Sequence, residues 1–154
     1  MFDKLKGKWR GDSHEQQPRQ MPPRPSIAMP NPPQVRPEMV NFDIVDGALV
    51  TTVLLSKLLG PDSADLVETI LAELEACDQV QHVIVDLENI EMMDSSALGM
   101  LVFLNNRLQL IEGRLVIVNA AVTLEQMFRI TQLDRMLPVC RDVMKAVSIV
   151  NRAA

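Results

Sequence analysis

The run His82-Val83-Ile84-Val85-Asp86-Leu87 is followed, four residues later, by Met92-Met93-Asp94-Ser95-Ser96-Ala97-Leu98-Gly99. The first run is β-rich and apolar without strict alternation, the pattern of a strand buried on both faces. The second is an Asp/Ser turn opening into an apolar helical pattern, with Leu98, Leu101, Val102 and Leu108 at helical spacing. Asp94, Ser95 and Ser96 are all good N-cap types. A serine pair is therefore expected at the start of a helix, just past the carboxyl end of a buried strand, where open α/β sheets place functional residues.

Working outward, the 154 residues suit one ordinary domain. Aromatics are few, four Phe, one Trp and no Tyr, so the core is built from aliphatic side chains and Met. No apolar run approaches the roughly 18–20 residues that span a bilayer. The first ten residues lack the apolar h-region of a secretory signal. With only Cys77 and Cys140, a cytoplasmic setting with reduced thiols is expected. The net charge of −5 is uneven. Residues 1–38 hold seven basic and four acidic side chains; the remainder holds eight basic and sixteen acidic. An acidic globular part argues against nucleic acid as a direct partner, because phosphate neutralisation needs clustered Lys and Arg.

Residues 1–38 read as a Pro-rich disordered tail, with eight of the ten prolines between Pro18 and Pro37. Proline fixes φ and removes a backbone donor, blocking both helix and sheet ladders. The tail is a spacer, or its Pro22-Pro23-Arg24-Pro25 and Pro30-Asn31-Pro32-Pro33 runs dock into an aromatic groove. Phe2, Leu5 and Trp9 share one helical face among Lys4, Lys8 and Arg10. This segment is either a frayed terminus or a surface anchor for a membrane or partner.

The folded part is expected over 39–151. Residues 40–45 and 48–54 flank Asp46-Gly47 as a β-hairpin. Residues 56–61 read as a loop. A helix from Asp62 to about Ala76 carries the stripe Leu66, Val67, Ile70, Leu71 and Leu74. The helix after Ser95 is expected to stop at Glu112-Gly113, a C-cap signal. Strand 114–118 leads to a capping box, Thr123 with Gln126. A short strand over 137–140 and a helix over 142–150 complete the chain. The fold class is α/β: a mixed sheet of about five strands with four helices.

Catalytic chemistry is not visible. The histidines are His14 and His82, and there is no zinc spacing, nucleophile elbow or phosphate-cradling glycine loop. No motif calls for a metal, a cofactor or a small-molecule ligand. Ser95 has two readings. As a helix N-cap it contributes about 1 kcal/mol. As a phosphorylation site it gains about −1.5 to −2 charge at a helix end whose free N–H groups favour anions. Between Leu98 and Leu104 nearly every residue is apolar, so this helix is either covered on most sides or offers a partner patch. Met92, Met93 and Met100 suit an adaptable contact surface.

The run from Val83 through Asp94-Ser95-Ser96-Ala97-Leu98-Gly99, then Gly113-Arg114-Leu115-Val116-Ile117-Val118 and Leu133-Asp134-Arg135-Met136-Leu137-Pro138-Val139, resembles the STAS domain. In pattern it is similar to bacterial anti-sigma factor antagonists. The resemblance implies a STAS-like domain that lacks enzymatic activity and works as a monomer by binding. Its unphosphorylated form would bind an anti-sigma factor that is also a serine kinase. That kinase would phosphorylate the serine, ending the binding, and a PP2C-type phosphatase would restore it. The phosphoacceptor would be Ser95, flanked by Asp94 and Ser96. Met93, Leu98, Gly99, Met100 and Phe103 would form or support the docking face. Two positions depart from the family pattern: Ala97 stands where glycine is common, and Ser56-Lys57-Leu58-Leu59-Gly60-Pro61-Asp62-Ser63 replaces a Gly-Glu-Leu-Asp-like motif. Related domains also serve as scaffold or adaptor subunits in signalling complexes, the alternative role.

Overall fold

The structure, a computed structural model, describes residues 32–152. The Phe2, Leu5 and Trp9 segment and the Pro-rich run through Asn31 lie outside the described residues. Strands β1 (Val40–Val45) and β2 (Ala48–Val53) form the expected hairpin. Asp46 and Gly47 both take positive φ, 48° and 83°, as a tight two-residue turn requires. β3 (Lys57–Leu58) precedes helix α1 (Pro61–Ala76). β4 (His82–Asp86) and β5 (Met92–Met93) precede α2 (Ser95–Gln109). β6 (Leu115–Val118), α3 (Val122–Ile130), β7 (Val139–Cys140) and α4 (Val143–Asn151) follow.

The main sheet has five strands in the order β1-β2-β4-β6-β7. β1 runs antiparallel to β2, and every other pairing is parallel. Alternation along each strand divides the core between two faces. Leu49, Val83, Val85, Leu115 and Ile117 meet α1, α2 and α3 on one face. Val50, Ile84, Val116 and Val118 meet Ala146, Val147 and Val150 of α4 on the other. This double covering is why β4 and β6 are apolar at nearly every position. Asp86 is the buried exception: its carboxylate accepts from the Glu88 N–H (3.0 Å) and the Asn119 side-chain amide (3.2 Å).

Several local expectations are corrected. Residues 56–61 are not all loop: Lys57–Leu58 pairs in parallel with Met92–Met93 as a separate two-stranded ribbon. Two residues are too few to carry a periodicity in the sequence. α1 starts at Pro61, which suits the first helical position because it has no N–H to leave unpaired. The Thr123–Gln126 capping box does not form. The helix begins at Val122 with Ala121 as N-cap, so Thr123 lies inside the first turn. Gln34 and Arg36 of the Pro-rich stretch are bound to α1. The Gln34 N–H donates to Asp65, and the Arg36 N–H to Thr69 Oγ1 at 2.8 Å. The Arg36 guanidinium bridges Asp62 (2.8 Å) and Asp65 (3.2 Å).

The exit from α2 exchanges the expected roles of Glu112 and Gly113. Glu112 takes the left-handed conformation, φ 60°, while Gly113 does not have positive φ. Gly113 is required for another reason: a Cβ there would overlap the backbone carbonyl of Gln81. Gly113→Ala is therefore expected to lower the unfolding free energy by about 1–3 kcal/mol, and Glu112→Gly to cause no loss, both measured by urea denaturation. An unaffected Gly113→Ala variant would contradict this packing.

Candidate functional site

The ribbon β3–β5 brings the starts of α1 and α2 together. Both helices follow this ribbon within a few residues, and the Asp94 N–H donates to the Leu58 carbonyl at 3.4 Å. Asp94 is the N-cap of α2. Its Oδ1 accepts from the Ala97 N–H at 3.0 Å, and its Oδ2 accepts from the Gly60 N–H at 2.9 Å. Gly60 is itself the N-cap position of α1, with φ 50° and ψ −124°, a backbone conformation that favours glycine. One carboxylate thus joins the amino ends of two helices. The hydrogen bond from Gly60, then that from Ala97, holds its carboxyl below the usual aspartate range.

The cap is Asp94, and Ser95 is the first residue inside the helix. This corrects the capping reading of Ser95. Asp94 wins the position because its two oxygens serve two N–H donors at once, which a hydroxyl cannot do as well. Ser95 and Ser96 are both exposed on the first turn. Gly99 is exposed one turn later, and Phe103 is 51% exposed a further turn on. Met93 and Met100 are buried, and Leu98 is half-buried against the same core. The eight residues therefore divide. Ser95, Ser96, Gly99 and Phe103 form a surface, Met93, Leu98 and Met100 support it from beneath, and Asp94 fixes its edge. Of the three methionines considered as contact surface, only Met92 is exposed, at 51%. The apolar run 98–104 is explained mainly by burial: Met100, Leu101 and Leu104 are core, and Phe103 is left outside.

Sequence reasoning missed three participants. Gly60 supplies the amide to Asp94, and its only sequence signal is its place before Pro61. Arg36 engages Asp62, the acid nearest in sequence to the family's acidic motif. Ser63, buried in the first turn of α1, has no hydrogen-bond partner among the described residues. A groove of about 460 Å³ separates α1 from α2, with Gly60, Ser63, Val67, Ser96, Met100 and Phe103 on its walls. Among the described residues no group of His, Cys, Asp and Glu is arranged to hold a metal ion, and no helix is long and apolar enough to cross a membrane.

A family model described as the STAS domain matches residues 44–146, and the chain belongs to the STAS family. The structure is similar to a putative anti-sigma factor antagonist of Thermotoga maritima, at 21% identity and TM-score 0.64, covering 74% of this chain and 96% of that one. It is similar to the phosphorylated form of the Bacillus cell fate determinant SpoIIAA, at 19% identity and TM-score 0.55, covering 72% and 98%. It is also similar to the murine anion transporter Slc26a9, at 14% identity and TM-score 0.61, covering 71% of this chain but 18% of that one. At these identities the likeness is one of fold. Comparison with curated protein sequences gives no match.

The Asp94 bridge has a measurable signature. Its stabilisation is complete above the ordinary aspartate pKa of 3.8 and is lost as pH falls through the lower folded-state value. Asp94→Asn keeps a cap oxygen for Ala97 while replacing the oxygen that serves Gly60 with an amide nitrogen. The variant is expected to have a lower Tm at neutral pH and a shallower loss of Tm as the pH falls from about 4 to about 2. Wild type and variant with the same acid profile would contradict the bridge.

Proposed function

We propose that this STAS domain is an anti-sigma factor antagonist switched by phosphorylation at Ser95. Unphosphorylated, it binds an anti-sigma factor with serine kinase activity in a bacterial, cytoplasmic partner-switching pathway that regulates transcription. It acts as a monomer by binding rather than by catalysis. The kinase modifies Ser95, and a PP2C-type phosphatase reverses the modification. Ser96, Gly99 and Phe103 form the docking face beside Ser95, with Asp94 at its edge and Met93, Leu98 and Met100 beneath.

The observation that carries this reading is the division of labour between neighbours: Asp94 caps the helix, and Ser95 stands exposed beside it. A phosphate on Ser95 leaves the cap in place. It lies at the positive end of α2, where unpaired N–H groups and the helix dipole accept negative charge. The fold thus tolerates the modification. A docked partner does not, because it meets a bulky dianion next to the Asp94 carboxylate, on a face that was otherwise hydroxyl, glycine and phenyl. The likeness of the fold to a putative anti-sigma factor antagonist and to the anti-sigma factor antagonist SpoIIAA supports the same role.

One observation favours a second reading, a scaffold or adaptor outside any sigma pathway. Asp62, the acid nearest the family's Gly-Glu-Leu-Asp position, is committed to Arg36. In that case localisation or assembly depends on residues 1–38, and removing them abolishes it.

The switch is tested by binding of Ser95 variants to the kinase. Ser95→Ala should bind like wild type and stay within about 0.5 kcal/mol of its stability. Ser95→Asp should bind at least roughly tenfold more weakly, equivalent to about 1.4 kcal/mol. Equal binding by the two variants contradicts the switch, and a marked loss of stability in Ser95→Ala returns this serine to a structural role.

A further inference from the structure

The exit of α2, at the far end of that helix from Ser95, borders a recess that the proposed switch does not use. The recess holds about 390 Å³, and Leu71, Leu74, Cys77, Val80 and Ile111 are its apolar lining. Apolar surface does not stop at its mouth. Ile111 is 45% exposed, and Leu110 before it is 79% exposed. An apolar recess continued by exposed aliphatic side chains is the pattern of an interaction surface.

Charge at the rim selects the partner. Glu75 and Asp78 line the recess, and Glu73 stands with Glu75 in the last turn of α1, which contains no basic residue. The carboxyl end of a helix is its negative end, so these acids work against the stability of α1. Arg107 also lines the recess, yet among the described residues the ion pairs are all made by Arg36, and none of the three acids has one. A cation docked here is attracted both by the carboxylates and by the helix end. The chain carries a segment of matching chemistry. Residues 1–10 hold Lys4, Lys6, Lys8 and Arg10 against Asp3, interleaved with Phe2, Leu5 and Trp9. Reach is not a barrier. The described chain begins at Pro32, beside the first half of α1, where the Gln34 N–H donates to Asp65. Twenty-one residues lie between Arg10 and Pro32, enough to reach roughly 65 Å when extended. The sixteen residues of α1 rise only about 24 Å.

We infer that this acid-rimmed recess is a docking site for residues 2–10 of the same chain. Phe2, Leu5 and Trp9 cover the apolar lining and Ile111, and the basic side chains meet Glu73, Glu75 and Asp78. Docking places positive charge at the carboxyl end of α1, where the folded part supplies none. The site lies at the opposite end of α2 from Ser95, so it stands whether or not that serine carries a phosphate.

Trp9 is the only tryptophan and the chain has no tyrosine, so indole fluorescence reports on this segment alone. The test is quenching of Trp9 by acrylamide, a neutral quencher, in the full-length chain and in a synthetic peptide of residues 1–12. Quenching in the protein is expected to be at least roughly threefold weaker than in the peptide, with blue-shifted emission, because a docked indole is shielded from solvent. Glu75→Lys with Asp78→Lys should return quenching to the peptide value. Both positions are exposed, and cations suit the carboxyl end of a helix, so Tm should not fall. Ile111→Glu, at a position outside the buried core, should release Trp9 in the same way. Trp9 as accessible as in the peptide overturns the assignment, as does protection that survives both variants. Protection that disappears on dilution assigns the contact to a second copy and overturns docking within one chain.

Discussion

A carboxylate placed between two helix beginnings organises this molecule. Every α-helix starts with N–H groups that lack intrahelical partners, and the aligned peptides give that end a partial positive charge. Asp94 meets both needs for α2 by accepting from Ala97, and it reaches across to the Gly60 amide at the start of α1. The parallel ribbon of Lys57–Leu58 with Met92–Met93 sets the separation of the two helices just before they begin. Without the bridge, each helix would still pack on the sheet through its own apolar stripe. The register between them at the exposed end would have less to fix it, and that end is where Ser95, Ser96 and the groove lie.

In the proposed switch, the same bridge separates structure from signalling. A serine that caps its helix cannot be modified without disturbing the fold. Here the preceding residue has taken the cap, and Ser95 occupies a position whose side chain the helix does not require. A modification at such a position changes surface charge with little cost to stability, which is what a reversible switch needs. Arg36 contributes a related economy at the other helix. It engages Asp62 and Asp65, which would otherwise stand as neighbouring negative charges near the amino end of α1.

Much of this architecture was legible in the residues, and the failures have physical causes. The hairpin was readable because Asp46-Gly47 is one of few pairs that accept two successive positive φ angles. The buried strands were readable because β4 and β6 are covered on both faces. The helix expected over 142–150 runs over Val143–Asn151, and Asp142 is its cap rather than its first residue, accepting from the Lys145 N–H at 2.7 Å. What escaped depended on contacts between segments distant in the chain. The ribbon β3–β5 joins residues 35 positions apart through two residues on each side. Asp94 was preferred over Ser95 as the cap because of an amide 34 residues away. Gly113 looked like a helix stop but answers to the carbonyl of Gln81. At the site, the serine pair and its helix were visible in the sequence. The burial of Met93 and Met100, the unpaired Ser63 hydroxyl and the role of Gly60 were not, because each is a property of how α1 and α2 pack.

The central claim, that Ser95 is left free by its neighbour to carry a regulatory phosphate, is tested most directly by phosphopeptide mass spectrometry. The protein is purified from the cells that make it, at rest and under stress. The account predicts substantial phosphate on Ser95, and not on Ser96, at a level that changes between the two conditions. Absence of phosphate on Ser95 in every condition would contradict it.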